Sequence, residues 1–169
     1  MNEVFKTVHH SGSDHSHGGG CPGSRTLVLE RKETAEVNFA PVVSELKQWP
    51  VQLHLLNPQA AYFKEADVLI AADCVAYSVG NFHQKFLKGK TLAIACPKLD
   101  TNKEIYVEKL VSMINDAKIN TITVMVMEVP CCGGLLQMVK AAVGMASRKV
   151  PVKSIVVGIT GETIMENWM

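Results

Sequence analysis

The sequence predicts a three-layer α/β domain, a mostly parallel sheet of about five strands with helices on both faces. Three observations predict it. After Pro50, short apolar runs alternate with segments of helical spacing. Turn residues separate them, at Asn57-Pro58, Gly80-Asn81, Gly89 and Gly161-Glu162. The 169 residues are 47% apolar, which suits one domain with a real core.

Residues 1–24 differ in kind, being rich in His, Ser and Gly, and are expected to form a flexible arm that carries Cys21. Residues 25–169 are expected to form the single α/β domain. Within it, Thr26–Glu30 suits a short strand or an extended strap. Val42, Val43, Leu46 and Trp49 lie at helical spacing behind Pro41, a good first-turn residue, which predicts a short helix from Pro41 to Trp49. Val51–Leu56 alternates as a strand, and Ala60–Glu65 suits a short helical connection. Val68–Ala72, Leu92–Ala95, Ile122–Met127 and Ser154–Ile159 are the remaining expected strands. Helices are expected at Val75–Leu87, divided at Gly80-Asn81, at Asn102–Ala117 and at Gly134–Ser147. The inward stripes are Ile105, Leu110, Met113 and Ile114 in one, and Leu135, Met138, Val139 and Val143 in the next.

Bulk properties exclude several classes. A net charge of +1 with dispersed basic residues points to no nucleic-acid partner. No apolar run reaches the ~20 residues that span a bilayer, so no membrane partner is expected. The start lacks the apolar stretch of a secretory signal. Five cysteines, an odd number without a disulfide-rich layout, suit a reducing interior and a cytoplasmic location.

Four of those cysteines stand where predicted strands stop. Cys74 ends the run Val68–Asp73, Cys96 ends Thr91–Ala95, and Cys131-Cys132 follow Thr121–Pro130. Strand C-termini of a parallel sheet open onto one crevice, so these thiols are expected to converge. Each also has a plainer reading as a small buried hydrophobe. Pro97 stops its strand from pairing onward and turns Cys96 toward the crevice. Pro130, Cys131-Cys132 and Gly133-Gly134 lead into a helix whose first amides favour negative charge, which is expected to lower thiol pKa values. The two glycines are expected to let the backbone approach a bulky ligand. Neighbours on an extended chain point in opposite directions, so one cysteine of the pair faces the crevice unless the turn reorients them.

Cys21 lies between Gly18-Gly19-Gly20 and Pro22-Gly23, where no core forms, and a loose solvated thiol is its plainer reading. His15 and His17 suit a solvated arm better than a ligand set. His83 suits a helix surface and His54 a core or sheet face. Lys98 and Asp100 are expected to rim the crevice, and Asp73 to bond at its strand end. The sequence has no nucleophile elbow, no Walker loop, no GxGxxG and no CxxC.

Six blocks carry a resemblance: His17–Arg25, Gln48–Leu53, Ala60–Phe63, Leu69–Tyr77, Cys96–Asp100 and Glu128–Gly134. Together, and in this order, they resemble a family from anaerobes described as iron–sulfur-binding oxidoreductases or ferredoxin-domain proteins. Many of its members carry an added ferredoxin-like module, which this chain lacks, so any cluster must use the five cysteines present. The site is also similar to the cluster-bearing small subunits of respiratory complex I and of nickel–iron hydrogenases, with different spacing and order. There, dispersed cysteines edge an α/β sheet, and in the complex I subunit two adjacent cysteines ligate one cluster.

The resemblance and the cysteines together lead to the expected function. It is an iron–sulfur protein with one [4Fe–4S] cluster on Cys21, Cys74, Cys96 and one of Cys131 or Cys132, in electron transfer or a reductive reaction. A redox protein such as a ferredoxin or an oxidoreductase is the expected partner, and a homo-oligomer is compatible with the chain. The residues leave two alternatives open: a zinc-bound or dithiol redox protein without iron, and a small-molecule-binding α/β module with incidental cysteines.

Overall fold

Four parallel strands and one antiparallel strand form a single sheet in the computed structural model, which describes Leu29 and residues 42–169. Ser44–Met169 forms one compact unit. The expected arm, Cys21, His15, His17 and most of the Thr26–Glu30 segment lie outside the described residues.

The strands are β1 (Asp67–Ala72), β2 (Thr91–Ala95), β3 (Thr121–Met127), β4 (Val152–Val157) and β5 (Thr163–Trp168), in spatial order β2-β1-β3-β4-β5. β1, β2, β3 and β4 pair in parallel, and β5 returns antiparallel to β4 with an irregularity at Val156/Val157. β1 and β3 are flanked on both edges and covered on both faces, so they read as continuous apolar runs. Val68, Leu69, Ile70, Ala71, Val124 and Met125 are almost wholly buried.

The helices are α1 (Val75–Ser78), α2 (Glu104–Asn115) and α3 (Gly133–Met145). A π-helical turn at His83–Leu87 follows α1 after the break at Gly80, and Gly89, at φ 77, ends that connection. β1 to β2 and β2 to β3 run in opposite directions across the sheet. Right-handed crossovers therefore place α1 and the π-turn on one face, and α2 and α3 together on the other. The helices thus make outer layers on both faces. The reversal of strand order lies between β1 and β3, the position where such sheets bind ligands beyond the strand ends.

Three expectations are corrected. No helix forms between Val42 and Trp49. Ser44–Lys47 runs without regular structure, and Trp49 is 79% exposed. The segment is tied down by polar bonds: Glu45 N–H donates to His83 Nδ1 at 3.2 Å and Gln48 Nε2 to the Leu92 carbonyl at 2.6 Å. Val51–Leu56 is not a strand either. One parallel bridge joins Gln52 to Ile94, and then Leu55 and Leu56 amides both donate to the Gln52 carbonyl. The buried residues are Leu53 and Leu56, three apart, whereas Leu55 is exposed, so burial favours a turn over alternation. The fifth strand is instead β5, whose residues are all exposed. In α2 the buried stripe includes Tyr106, and Ile105 faces outward.

Candidate functional site at the strand ends

β1, β2 and β3 each stop at a cysteine turn, and the turns stand side by side because the strands are adjacent. Cys74 follows β1 and opens α1. Its carbonyl accepts from the Ser78 amide and from Ser78 Oγ, both at 3.2 Å. Cys96 follows β2. Its carbonyl accepts from the Leu99 and Asp100 amides at 3.1 and 2.9 Å, and its own amide donates to Asp100 Oδ2 at 2.9 Å. After β3, Pro130–Cys132 forms a 3-10 turn that runs directly into α3.

Packing joins the second and third turns. A Cβ on Gly134 would meet Pro97 Cβ at 3.0 Å, so the first turn of α3 rests on the proline beside Cys96. Gly134 is thus small because Pro97 is close, whereas Gly133 has open space around it.

Electrostatics joins all three. The Cys74 thiol is held above the ordinary cysteine range by shielding of its sulfur, then by the charge of Cys96, Asp73 and Cys131. The residue as a whole is exposed, so this shielding is partial. Cys132, which is buried, is pushed up to about 11. Burial is the first cause, and Cys131 and Cys74 add to it, while a backbone hydrogen bond at Met127 works the other way. The expectation that the start of α3 lowers the pKa of one or both thiols of the pair is not met at Cys132, where burial is the largest cause and raises it. Cys96 and Cys131 are half-buried. The four thiols are free, Cys74 interacts with Cys96, Cys131 and Cys132, and Cys131 with Cys132, beside the strand-order reversal. Among the described residues, no three Cys, His, Asp or Glu side chains are already arranged to hold a metal ion.

A polar shelf lies beside the thiols. Gln52 Nε2 approaches both carboxylate oxygens of Asp73, at 3.5 and 3.4 Å. Asp73 is held above the usual carboxylate range, first by burial, with Gln52 opposing and Asp100 reinforcing. The Tyr106 hydroxyl, pushed up to about 12 by burial and then by Asp100, also faces His54 Nδ1 at 3.5 Å. Lys103 Nζ donates to the Pro97 carbonyl at 3.0 Å, and Lys109 Nζ to the carbonyls of Leu53 and His54 at 3.0 and 2.6 Å. Asp73 bonds at its strand end, to Gln52, and Asp100 bonds the Cys96 amide. Lys98 is exposed on the same turn, His83 anchors the Ser44–Gln48 segment, and His54 is exposed instead of buried. Gln52, Tyr106 and Lys103 escaped sequence reasoning. Their signal was position: Tyr106 and Lys103 open the helix that leaves the Cys96 turn, and Gln52 pairs with β2.

Residues 60–169 match the model of the Rossmann-like domain family, and the chain belongs to that family. It is 31% identical over 120 residues to a protein of Archaeoglobus fulgidus described as uncharacterized; the match covers 70% of this chain and 83% of that protein. No solved structure matches. No helix among the described residues is long and apolar enough to cross a membrane.

Proposed function

We propose that this Rossmann-like chain is an iron–sulfur protein of the cytoplasm, with one [4Fe–4S] cluster at the thiol crevice. It would serve electron transfer or a reductive reaction with a redox protein such as a ferredoxin or an oxidoreductase. The observation that carries the reading is the meeting of cysteine turns from three adjacent strands at the strand-order reversal. The donor chemistry fits, since such clusters are held by four thiolates. Cys74, Cys96 and Cys131 supply three in this reading, and Cys21 is the proposed fourth.

Cys131 is the better ligand of the adjacent pair. It is half-buried, whereas Cys132 is 6% exposed and packs with the core. When bound, the cluster supplies one-electron chemistry. The chain holds the thiols on strand ends that the sheet keeps rigid, and Pro97 and Gly134 fix the spacing of two turns. The first amides of α3 favour the negative charge of a thiolate-bound group.

Anaerobic purification followed by iron, sulfide and zinc analysis tests the reading. It predicts about four irons and four sulfides per chain, lost in Cys74→Ser, Cys96→Ser and Cys131→Ser and kept in Cys132→Ser. Stoichiometric zinc without sulfide would replace it with a zinc site. A metal-free chain indifferent to all four substitutions would leave a small-molecule-binding module.

A further inference from the structure

The three cysteine turns are not built alike. Among the described residues, no N-cap side chain bonds the opening amides at Cys74 or at Cys131-Cys132, and at Cys74 only Ser78 Oγ reaches the backbone, as a donor to the carbonyl. The Cys96 turn has a side-chain acceptor. Asp100 Oδ2 accepts from the Cys96 amide at 2.9 Å, and the Asp100 amide donates back to the Cys96 carbonyl at 2.9 Å. The two bonds close a ring across the five residues from Cys96 to Asp100, and the Leu99 amide adds a third bond to the same carbonyl at 3.1 Å. Three outside contacts hold the ring: Lys103 Nζ on the Pro97 carbonyl, Gly134 against the Pro97 side chain, and the Tyr106 hydroxyl on the Asp100 carboxylate. Leu99 is 80% exposed, so apolar packing of that side chain does not hold the turn.

We infer that Asp100 is a positioning residue for Cys96, its carboxylate locking the turn so that the sulfur stands at the crevice before any metal arrives. The inference rests on the proposed thiol–metal site and goes beyond it by naming which ligand is fixed in advance and by what. A side-chain oxygen accepting from the Cys96 amide satisfies a donor that would otherwise lack a partner. Residues that orient a metal ligand commonly cost ten- to a hundredfold in affinity when removed. What matters at Asp100 is an acceptor oxygen at this reach, so the amide of asparagine serves and the longer glutamate does not.

The test uses the full chain, freed of metal under reductant, with Cd²⁺ alone as the probe, read by its thiolate charge-transfer absorbance. Site-resolved alkylation by iodoacetamide, read by mass spectrometry, is run in parallel. Asp100→Ala and Asp100→Glu should each weaken Cd²⁺ binding at least about tenfold, and Asp100→Asn should stay within about threefold of the parent. Gln48→Ala, which removes a bond to β2 away from the turn, should leave Cd²⁺ affinity unchanged. The ratio of Cys96 to Cys74 alkylation should shift at least about threefold in Asp100→Ala and be restored in Asp100→Asn. Should the alanine variant not fold, the Asn and Glu variants alone decide. Rescue by Glu and loss in Asn would overturn the inference, because charge and not reach would then matter. An unchanged alkylation ratio with unchanged affinity would also overturn it. If the parent takes up no Cd²⁺ through its cysteines, the metal reading falls, and the alkylation ratio alone decides the positioning role.

Discussion

Cys132 and Cys131 are neighbours in sequence with different surroundings, and the difference is measurable. Thiolate is the reactive form. With its thiol pushed up to about 11, Cys132 holds only about one part in a thousand as thiolate at pH 8. In metal-free protein it should be the slowest of the four described thiols to react with iodoacetamide, and its rate should keep climbing as pH rises toward 11. The sign follows from burial, which favours the neutral thiol. A Cys132 rate equal to that of Cys74 at pH 8 would contradict this environment. Lys109 offers a second check at this scale. Its ammonium binds two carbonyls of the Leu53-His54 turn, and its shielding holds its pKa below the usual lysine range. Lys109→Met keeps the stem and removes both bonds, which should cost about 1 to 2 kcal/mol in urea denaturation. No loss would mean water replaces the ammonium freely.

At the scale of elements, two glycines at positive φ separate conformational need from space. Gly161, at φ 98, packs so that a Cβ would overlap the Ser78 carbonyl oxygen, while Gly89, at φ 77, has open surroundings. Gly161→Ala should therefore cost at least about 2 kcal/mol, and Gly89→Ala about 1 kcal/mol, by the same denaturation measurement. Equal costs would show that the Gly158–Glu162 turn moves away from α1 readily. The central elements were legible in sequence for a simple reason. β1, β2, β3 and β4 are apolar runs bounded by turn residues, and α2 and α3 carry clear stripes. The periphery was not. Val51–Leu56 has strand-like alternation, yet Leu53 and Leu56 are the buried pair, and only the β2 edge decides that. The Val42–Trp49 spacing suggested a buried helical face where polar anchors to His83 and Leu92 hold the segment instead. β5 carries Met, Glu, Asn and Trp on exposed faces, with no apolar alternation to announce it.

At the scale of the whole molecule, topology brings scattered cysteines to neighbouring strand ends. Order β2-β1-β3 places Cys96, Cys74 and Cys131-Cys132 on three adjacent strand ends, a fact that no spacing in the sequence states. Sequence reasoning found the cysteines because each follows an apolar run. It missed the polar shelf of Gln52, Tyr106 and Lys103, because ordinary polar residues carry no local mark of a site. The central claim is that these thiols hold one cluster in common, and electron paramagnetic resonance of anaerobically purified, dithionite-reduced protein tests it most directly. The account predicts a single fast-relaxing cluster signal in the parent chain, abolished in Cys74→Ser and in Cys96→Ser and retained in Cys132→Ser. A parent chain with no signal and no iron, or a signal that survives both Cys74→Ser and Cys96→Ser, would contradict it.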